Sequence, residues 1–236
     1  MSSDQRYFAV DGRDVPVIIT RNARARRATL RVDKVRGEIR LSLPLRASLS
    51  IARRLVDDHR QWIAERLQGL PVPCPFVPGA AIPYDGAPVV IDWNKGHARA
   101  PMLVQGLLLV GGPVDRVEQR VSQWLRLQAR NDLSARARQY AAKIGRPIAA
   151  IRIADATGRW GSCTTSARIS FSWRLILAPS WVRDSVAAHE VAHLVHMDHS
   201  PAFHRLHGEL LGADPRPARQ WLAANGPALH WVGRPR

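Results

Sequence analysis

His189 and His193 stand four positions apart and enclose Glu190 in the segment His-Glu-Val-Ala-His. On a helix, side chains at positions i and i+4 project from one face, so the two imidazoles can share one metal ion. Glu190 points elsewhere and can reach a water molecule on the metal without becoming a ligand. The ion lowers the pKa of that water, and a nearby carboxylate takes its proton as attack begins. The pattern therefore predicts a metal-assisted hydrolase with zinc as cofactor and Glu190 as base.

A catalytic zinc site needs a third protein ligand and an open fourth position. His199 is the first candidate, because the chain turns back after His193 and a new helix begins at Ser200. Glu209 is the second candidate and His204 the third, since both lie on that next helix. The alternative to a metal site is a pair of core histidines beside a surface glutamate.

The groups that would orient the metal-binding histidines are less well defined by the sequence. A zinc-bound histidine normally donates its other N–H group to a carboxylate or a carbonyl. Asp155, Asp184 and Asp198 lie near the motif, and the sequence does not choose among them. It also leaves the role of His196 open.

The segment from Gly158 to Thr164, Gly-Arg-Trp-Gly-Ser-Cys-Thr, joins two strands that we expect beside the metal helix. Its glycines permit a tight backbone path, and Arg159 or Ser162 can contact substrate or stabilise an oxyanion. The alternative is a structural hairpin plugged by Trp160. The strand at 169–177 offers an edge to which an extended peptide can pair. The candidate substrate-binding residues are Arg159, Trp160, Ser162, Trp173 and Arg174.

The first part of the chain has the alternation and turn residues of β-strands. Strands are predicted at Tyr7–Val10, Val15–Ile19, Ala28–Val32 and Ile39–Leu43, with turns at Asp11-Gly12 and Gly37. An amphipathic helix follows from about Ser48 to Leu67. Its core-facing positions are predicted to be Ile51, Leu55, His59, Trp62, Ile63 and Leu67. The segment from Pro71 to Pro88 is predicted to be irregular. Short strands follow at Val89–Trp93, Met102–Gln105 and Leu107–Val110.

The composition changes near residue 115 from strands and Pro-rich loops to helices, which divides the chain into 1–115 and 116–236. A long helix runs from its cap Asp115 to about Ile144. Strands are predicted at Ile151–Ala154 and Ile169–Leu177, and helices at Ser180–His196, Pro201–Leu211 and Pro217–Ala224. The predicted fold class is α+β, with a β-rich N-terminal part that contains one helix.

Composition points to a globular cytoplasmic protein. The chain has 236 residues, of which 46% are hydrophobic, enough for a buried core. No apolar run has the length of a signal peptide or a membrane span, so we expect no membrane partner. Cys74 and Cys163 lie far apart and make no paired metal spacing, which fits reduced thiols. The sequence does not indicate an oligomeric state.

The net charge of +16 permits an anionic partner such as nucleic acid. The basic residues are nearly all arginine, as a GC-rich genome alone would produce. They are densest at Arg21–Arg27, followed by Arg31, Lys34, Arg36 and Arg40. We expect a polyanion to bind there if it binds anywhere, and the alternative is a solvated β-hairpin surface.

The order of these motifs resembles that of the YgjP-like metallopeptidases, which are similar to the SprT-like and WLM zinc proteases. The resemblance covers most of the chain. It rests on Arg159-Trp160-Gly161-Ser162-Cys163, Trp173-Arg174-Leu175, Pro179, His189-Glu190-x-x-His193-Leu194, His199-Ser200 and Phe203. It implies a zincin-like α+β catalytic part with zinc on His189, His193 and His199 and with Glu190 as base.

Three positions depart from the pattern of that family. Val191 stands where the family usually has Leu, Asp198 where it has Asn, and His204 where it has Trp. None of these changes removes a ligand or the base. His204 adds a candidate ligand and bears on substrate selection.

Several functions fit these residues. The first is a zinc peptidase acting on polypeptides. The second is a metal-dependent hydrolase of phosphate esters or anhydrides such as nucleotides, because activated water does not itself select carbon over phosphorus and arginines suit phosphates. The third is a nucleic-acid-associated protease, by analogy with the SprT-like and WLM proteases. The fourth, a non-catalytic metal module, is disfavoured by Glu190, since a structural site needs no base.

Overall fold

The computed structural model describes residues 3–10 and 13–235. The chain divides into two compact units, Met1–Val72 and Pro73–Arg236. The described residues contain six α-helices and three small sheets, so the chain mixes α and β structure. The predicted boundary at residue 115 falls inside the second unit, where strands give way to helices. None of the described helices is long and apolar enough to cross a membrane.

The first unit is built on a four-stranded sheet in the order β1-β2-β4-β3. Its strands are β1 (Ser3–Val10), β2 (Arg13–Asn22), β3 (Thr29–Asp33) and β4 (Glu38–Pro44). All four were predicted, and β1 and β2 form the expected antiparallel hairpin, whose turn Asp11-Gly12 lies outside the described residues. Gly37 closes the β3–β4 turn with a φ of 71°, a conformation that glycine adopts without steric cost.

The predicted single helix at 48–67 is wrong in one respect, because it consists of two helices. These are α1 (Leu49–Asp58) and α2 (Arg60–Gln68), which meet at His59. The fully buried positions are Ala52, Val56 and Ile63, of which only Ile63 was among the predicted core-facing positions. Ile51, His59 and Trp62, which were predicted to face the core, are exposed instead. The buried side chains pack with Val17 and Leu41 of the sheet in one core.

The second unit opens with a four-stranded sheet in the order β5-β6-β8-β7. Its strands are β5 (Ala81–Tyr84), β6 (Ala87–Trp93), β7 (Met102–Val104) and β8 (Leu107–Val110). The segment 71–88 was predicted to be irregular, and β5 within it corrects that prediction. Asp85 and Gly86 have φ values of 52° and 77° and form the two-residue turn of a β5–β6 hairpin. Asp-Gly is a strong signal for such a turn.

The long helix α3 (Val117–Lys143) runs through the core of the second unit. It follows a short 3-10 turn at Val114–Arg116, and no side chain caps it, so the predicted capping role of Asp115 is wrong. The buried stripe includes Val121, Leu125 and Leu133, with the expected helical spacing.

A three-stranded sheet in the order β10-β11-β9 lies beside α3. Its strands are β9 (Ala150–Ala154), β10 (Gly161–Cys163) and β11 (Arg168–Ser172). The strand predicted at 169–177 ends at Ser172, because the chain enters a 3-10 helix at Trp173–Leu177 whose hydroxyl cap is Ser172. The strand predicted to offer a free edge is the central one. The two edge strands are instead β10 and β9.

Three helices complete the second unit. They are α4 (Ser180–Ala192), α5 (Pro201–Leu211) and α6 (Arg216–Leu229). Helix α4 ends four residues before the predicted His196. Helix α6 continues through Gly226 and Pro227, where a break was expected. Helix α4 packs on α3, α5, α6 and β10, which places the His-Glu-Val-Ala-His segment at the meeting point of these elements.

Candidate metal centre

Three imidazoles converge at the C-terminal end of α4. His189 lies on the last turn of the helix, His193 is its C-cap, and His199 stands on the corner before α5. One ring nitrogen from each lies within 4.8 Å of the other two. Histidine nitrogens that converge in this way form a donor set suited to zinc. The structure thus brings together the three residues that the sequence predicted as ligands.

The distance between two of these nitrogens fits a bound cation. The Nε2 atoms of His189 and His199 are 3.3 Å apart. Two nitrogens that each bind zinc at about 2.0–2.1 Å with a tetrahedral angle lie about 3.4 Å apart. Two neutral imidazoles that point their lone pairs at each other repel unless a cation or a proton lies between them. The donor set therefore fits a tetrahedral metal ion.

The backbone carbonyl of His196 orients His193. The Nδ1 atom of His193 lies 2.9 Å from this carbonyl oxygen, which can only accept. Nδ1 therefore carries the proton and Nε2 keeps its lone pair for a metal. The carboxylates considered for this role are engaged elsewhere. Asp155 pairs with Arg174, Asp184 with Arg136, and Asp198 accepts from the backbone N–H of Ser200.

Phe203 holds the three rings in place, although the sequence marked it only as part of a motif. Its fully buried ring lies 4.9 Å from His189, 4.4 Å from His193 and 4.9 Å from His199, measured between centroids. It is anchored by the start of α5, where the Ser200 hydroxyl accepts from the Phe203 N–H group at 3.3 Å. Ser at the N-cap and Pro at the first helical position are typical of a helix start.

Burial keeps His189 neutral. Burial, together with His207, His193 and the other nearby rings, lowers the pKa of His189 to about 3. His207 is itself buried and lies 3.0 Å from the backbone carbonyl of Ser185, to which its Nε2–H group donates. A neutral imidazole is the form that binds metal. Of the other ligand candidates, His204 has its ring 6.2 Å from that of His199, and Glu209 is exposed on α5.

Glu190 is a buried carboxyl group beside the histidine cluster. Its side chain is 4% exposed, and its Oε2 atom has no hydrogen-bond partner among the described residues. Burial raises the pKa of Glu190 to about 8, and the positive charge of Arg159 opposes this rise. A carboxyl group without a partner in a cleft is typical of acid–base chemistry, because a structural carboxylate would be satisfied.

The Gly-Arg-Trp-Gly segment makes room for this carboxyl group. An added Cβ at Gly161 would lie 2.7 Å from Cγ and Cδ of Glu190, closer than such atoms approach. The neighbouring Trp160 packs on helix α6, where an added Cβ at Gly226 would lie 2.8 Å from its ring. Trp160 also stacks near His230, with centroids 5.1 Å apart. The segment thus packs Trp160 against α6 and leaves the space that the Glu190 side chain fills.

The remaining candidate substrate residues lie partly near the site and partly in the packed interior of the second unit. Ser162 lies in β10, opposite Ser170. Trp173 is 2% exposed, and the guanidinium of Arg174 lies over its ring at 4.5 Å. Arg174 also pairs with Asp155 at 2.8 Å. Cys163 has a pKa raised to about 11, first by burial and then by Glu190, so its thiol is protonated at neutral pH.

A cavity of about 1010 Å³ opens beside Glu190. Helices α4 and α5 and the corner between them form one side, with His189, His204 and His199, and helix α6 forms the other side. Sequence reasoning missed the contribution of α6. The signal was present in the spacing of Pro215, Ala218, Arg219, Leu222 and Ala223, which places these residues on one helical face.

The model of the YgjP-like metallopeptidase domain matches residues 26–225. Comparison with curated proteins and with solved structures finds no match.

Proposed function

The chain belongs to the YgjP-like metallopeptidase family, and we propose from this premise that it is a zinc-dependent peptidase with a zincin-like catalytic part. The observation that carries the proposal is the convergence of His189, His193 and His199 beside the buried, partnerless carboxyl group of Glu190. The three imidazoles would hold the zinc ion. Glu190 would act as the general base.

In the proposed hydrolysis, the metal ion and the residues of the chain would have different roles. A bound zinc ion supplies a Lewis acid that lowers the pKa of water toward neutrality. Glu190 accepts the proton of the attacking water and passes it to the leaving amine. The raised pKa of Glu190 suits both tasks, because a group that titrates near the working pH can take up and release a proton. Phe203 and the His196 carbonyl keep the imidazole rings aligned.

Strand β10 is the segment on which an extended peptide would lie. It is an edge strand, so its outer backbone groups are available to pair with a substrate strand. It also touches α4, and Gly161 contacts Glu190. A substrate paired with Gly161–Cys163 would therefore place a peptide bond near the base.

The test measures zinc content together with hydrolysis of casein and of nucleoside triphosphates, for the wild type and Glu190→Gln. We expect both proteins to bind one zinc ion and only the wild type to cleave casein. Equal cleavage by both proteins would remove the role of Glu190. A lack of zinc in both would reinstate the core-histidine interpretation.

A phosphohydrolase is a second candidate that one observation favours. Arg216 and Arg219 line the cavity beside Glu190, and guanidinium groups bind phosphate well. Release of phosphate or pyrophosphate from nucleoside triphosphates, with casein left intact, would select this candidate in the same experiment.

The Arg-rich turn of the first unit supports a nucleic-acid-associated peptidase. Arg24, Arg26 and Arg27 lie between β2 and β3, and Arg31 lies on β3; all are exposed. Within the described residues, none of these side chains has an ionic partner. Binding of duplex DNA should weaken steeply as salt rises and should be lost when the three turn arginines are replaced by glutamine. Undetectable binding at low salt would exclude this role.

A further inference from the structure

We propose that the cavity beside Glu190 binds a carboxylate of the substrate through Arg219, so that the enzyme prefers peptides with an acidic group close to the cleaved bond. This inference rests on the proposed peptidase function and names its substrate class. It depends on the residues of α6, which the catalytic mechanism does not use.

The wall formed by α6 is apolar apart from its arginines. The α6 face contributes Pro215, Ala218, Leu222 and Ala223, with Arg219 at the centre. Arg216 stands at the end of this face, but Asp214 holds it at 2.8 Å, and its side chain is 84% exposed. Within the described residues, the guanidinium of Arg219 has no hydrogen-bonded or ionic partner.

The charged residues that line the cavity are mostly basic. Glu190 is the only acidic residue that lines it among the described residues, and that carboxyl group lies on the opposite wall, against Gly161. The residues at the cavity otherwise contribute two arginines and several histidines. Binding of a metal by the histidines would add further positive charge. A peptide carboxylate entering this space meets a guanidinium that is free to bind it through two N–H groups.

The cavity is large enough for one side chain of a peptide together with the adjacent residue of that peptide. A volume of about 1010 Å³ lies at the upper end of the range of about 300–1,000 Å³ for ligand sites. Arg219 is exposed, so its guanidinium is accessible to a ligand that enters the cavity. Lysine side chains, by contrast, would bring a second positive charge next to Arg219.

The test compares peptides of one scaffold that carry Glu, Gln or Lys at each of the three positions on either side of the cleaved bond. A further pair differs only in a free or amidated C-terminus, which separates a side-chain carboxylate from a terminal one. We expect Glu or the free terminus to raise kcat/KM about tenfold or more over its neutral counterpart at one position. Arg219→Gln should reduce this ratio to about twofold or less, and Arg219→Lys should keep part of it.

Arg205→Gln is the matched control, because Arg205 is an exposed arginine on α5 that does not line the cavity. It should keep the full preference. Binding of the same peptides to zinc-loaded Glu190→Gln protein gives a readout that needs no cleavage, and the ratio of Kd values should show the same dependence on Arg219.

The outcomes separate the two proposals. If wild type cleaves no peptide, the peptidase function fails, and the Kd ratios still decide the carboxylate site. If wild type cleaves peptides with Glu and Gln equally well and Arg219→Gln changes nothing, the inference is overturned while the peptidase stands. Loss of nucleoside triphosphate binding in Arg219→Gln, without any preference among peptides, would also overturn it.

Discussion

Gly161 lies directly against the side chain of Glu190, so closely that position 161 has no space for a Cβ atom. The two residues are 29 positions apart in the chain, on β10 and on α4. The carboxyl group fills the volume that any other residue at 161 would occupy. The glycine therefore leaves the space in which the carboxyl group of Glu190 stands.

Gly161→Ala should displace the base and leave the metal site intact. A correctly placed general base contributes about 10²–10⁴-fold to the rate, so we expect kcat to fall by about 100-fold. Zinc content should remain that of the wild type, because the atoms nearest to the new methyl group belong to Glu190 and not to a histidine. Peptide hydrolysis and zinc analysis of purified protein check this prediction.

Gly158→Ala is the control for this substitution. An added Cβ at Gly158 meets no atom within 4 Å, so activity should change little. Equal losses in both variants would mean that the flexibility of the segment matters, and not the space that Glu190 occupies.

His199→Ala should abolish tight metal binding without unfolding the protein. His199 is exposed and lies outside the core, whereas His193 is buried. We expect zinc affinity to fall by more than about 100-fold, because loss of an outer partner alone costs about 10–100-fold. Competition with a chelator measures the affinity, and circular dichroism measures the fold. His204→Ala should retain zinc, and a loss of metal there would add His204 to the ligand set.

The convergence of the three histidines could be predicted from the sequence because it depends on local spacing. His189, Glu190 and His193 lie within little more than one helical turn, and Ser200-Pro201 marks the start of α5 clearly. Their geometry follows from the helix itself. His199 can meet the other two histidines because only the short corner between α4 and α5 separates it from His193.

Contacts between distant segments could not be predicted in this way. The fit of Gly161 against Glu190, the packing of Trp160 on Gly226 and the α6 wall of the cavity all depend on tertiary packing. Hydrophobic periodicity also gave a wrong prediction where the same pattern fits more than one kind of secondary structure. Trp173 and Leu175 alternate as in a strand, yet Leu175, Ile176 and Leu177 are all buried in a 3-10 helix.

Gly226→Ala should destabilise the second unit by displacing Trp160. The added methyl group would lie 2.8 Å from the indole ring, and such overpacking costs about 1–3 kcal/mol. Gly208→Ala on α5 is the matched helical control, since its Cβ meets nothing within 4 Å. Alanine there should be neutral or stabilise by about 0.5–1 kcal/mol. Denaturant unfolding of both variants measures the difference, and equal behaviour would contradict the packing of Trp160 on Gly226.

Arg174→Gln should lower stability and leave substrate affinity unchanged, although the sequence marked Arg174 as a substrate residue. Its guanidinium donates to the carbonyls of Leu229 and Val232, both at 2.8 Å, and pairs with Asp155. The side chain is only 12% exposed. Loss of these bonds should cost about 2–4 kcal/mol of the free energy of unfolding. A raised KM for peptides in the folded variant would support the substrate role instead.

The Asp155–Arg174 pair should also make stability depend on pH in the acid range. Burial alone would raise the pKa of Asp155, but the hydrogen bond and charge of Arg174 outweigh it and hold this pKa below its usual value. Since the folded state then binds the proton less readily, the pair stabilises the fold above the usual aspartate pKa. That contribution is lost as pH falls through the pKa of the folded state. Asp155→Asn should therefore lower the free energy of unfolding by about 1 kcal/mol or less at pH 7, because the pair is partly exposed to solvent. Near pH 2 the loss should be smaller still. Denaturant unfolding at both pH values tests this, with Asp115→Asn, which breaks an exposed pair with Arg116, as a control that should show little change at either pH. A difference between wild type and Asp155→Asn that grows as pH falls would contradict the sign of the shift.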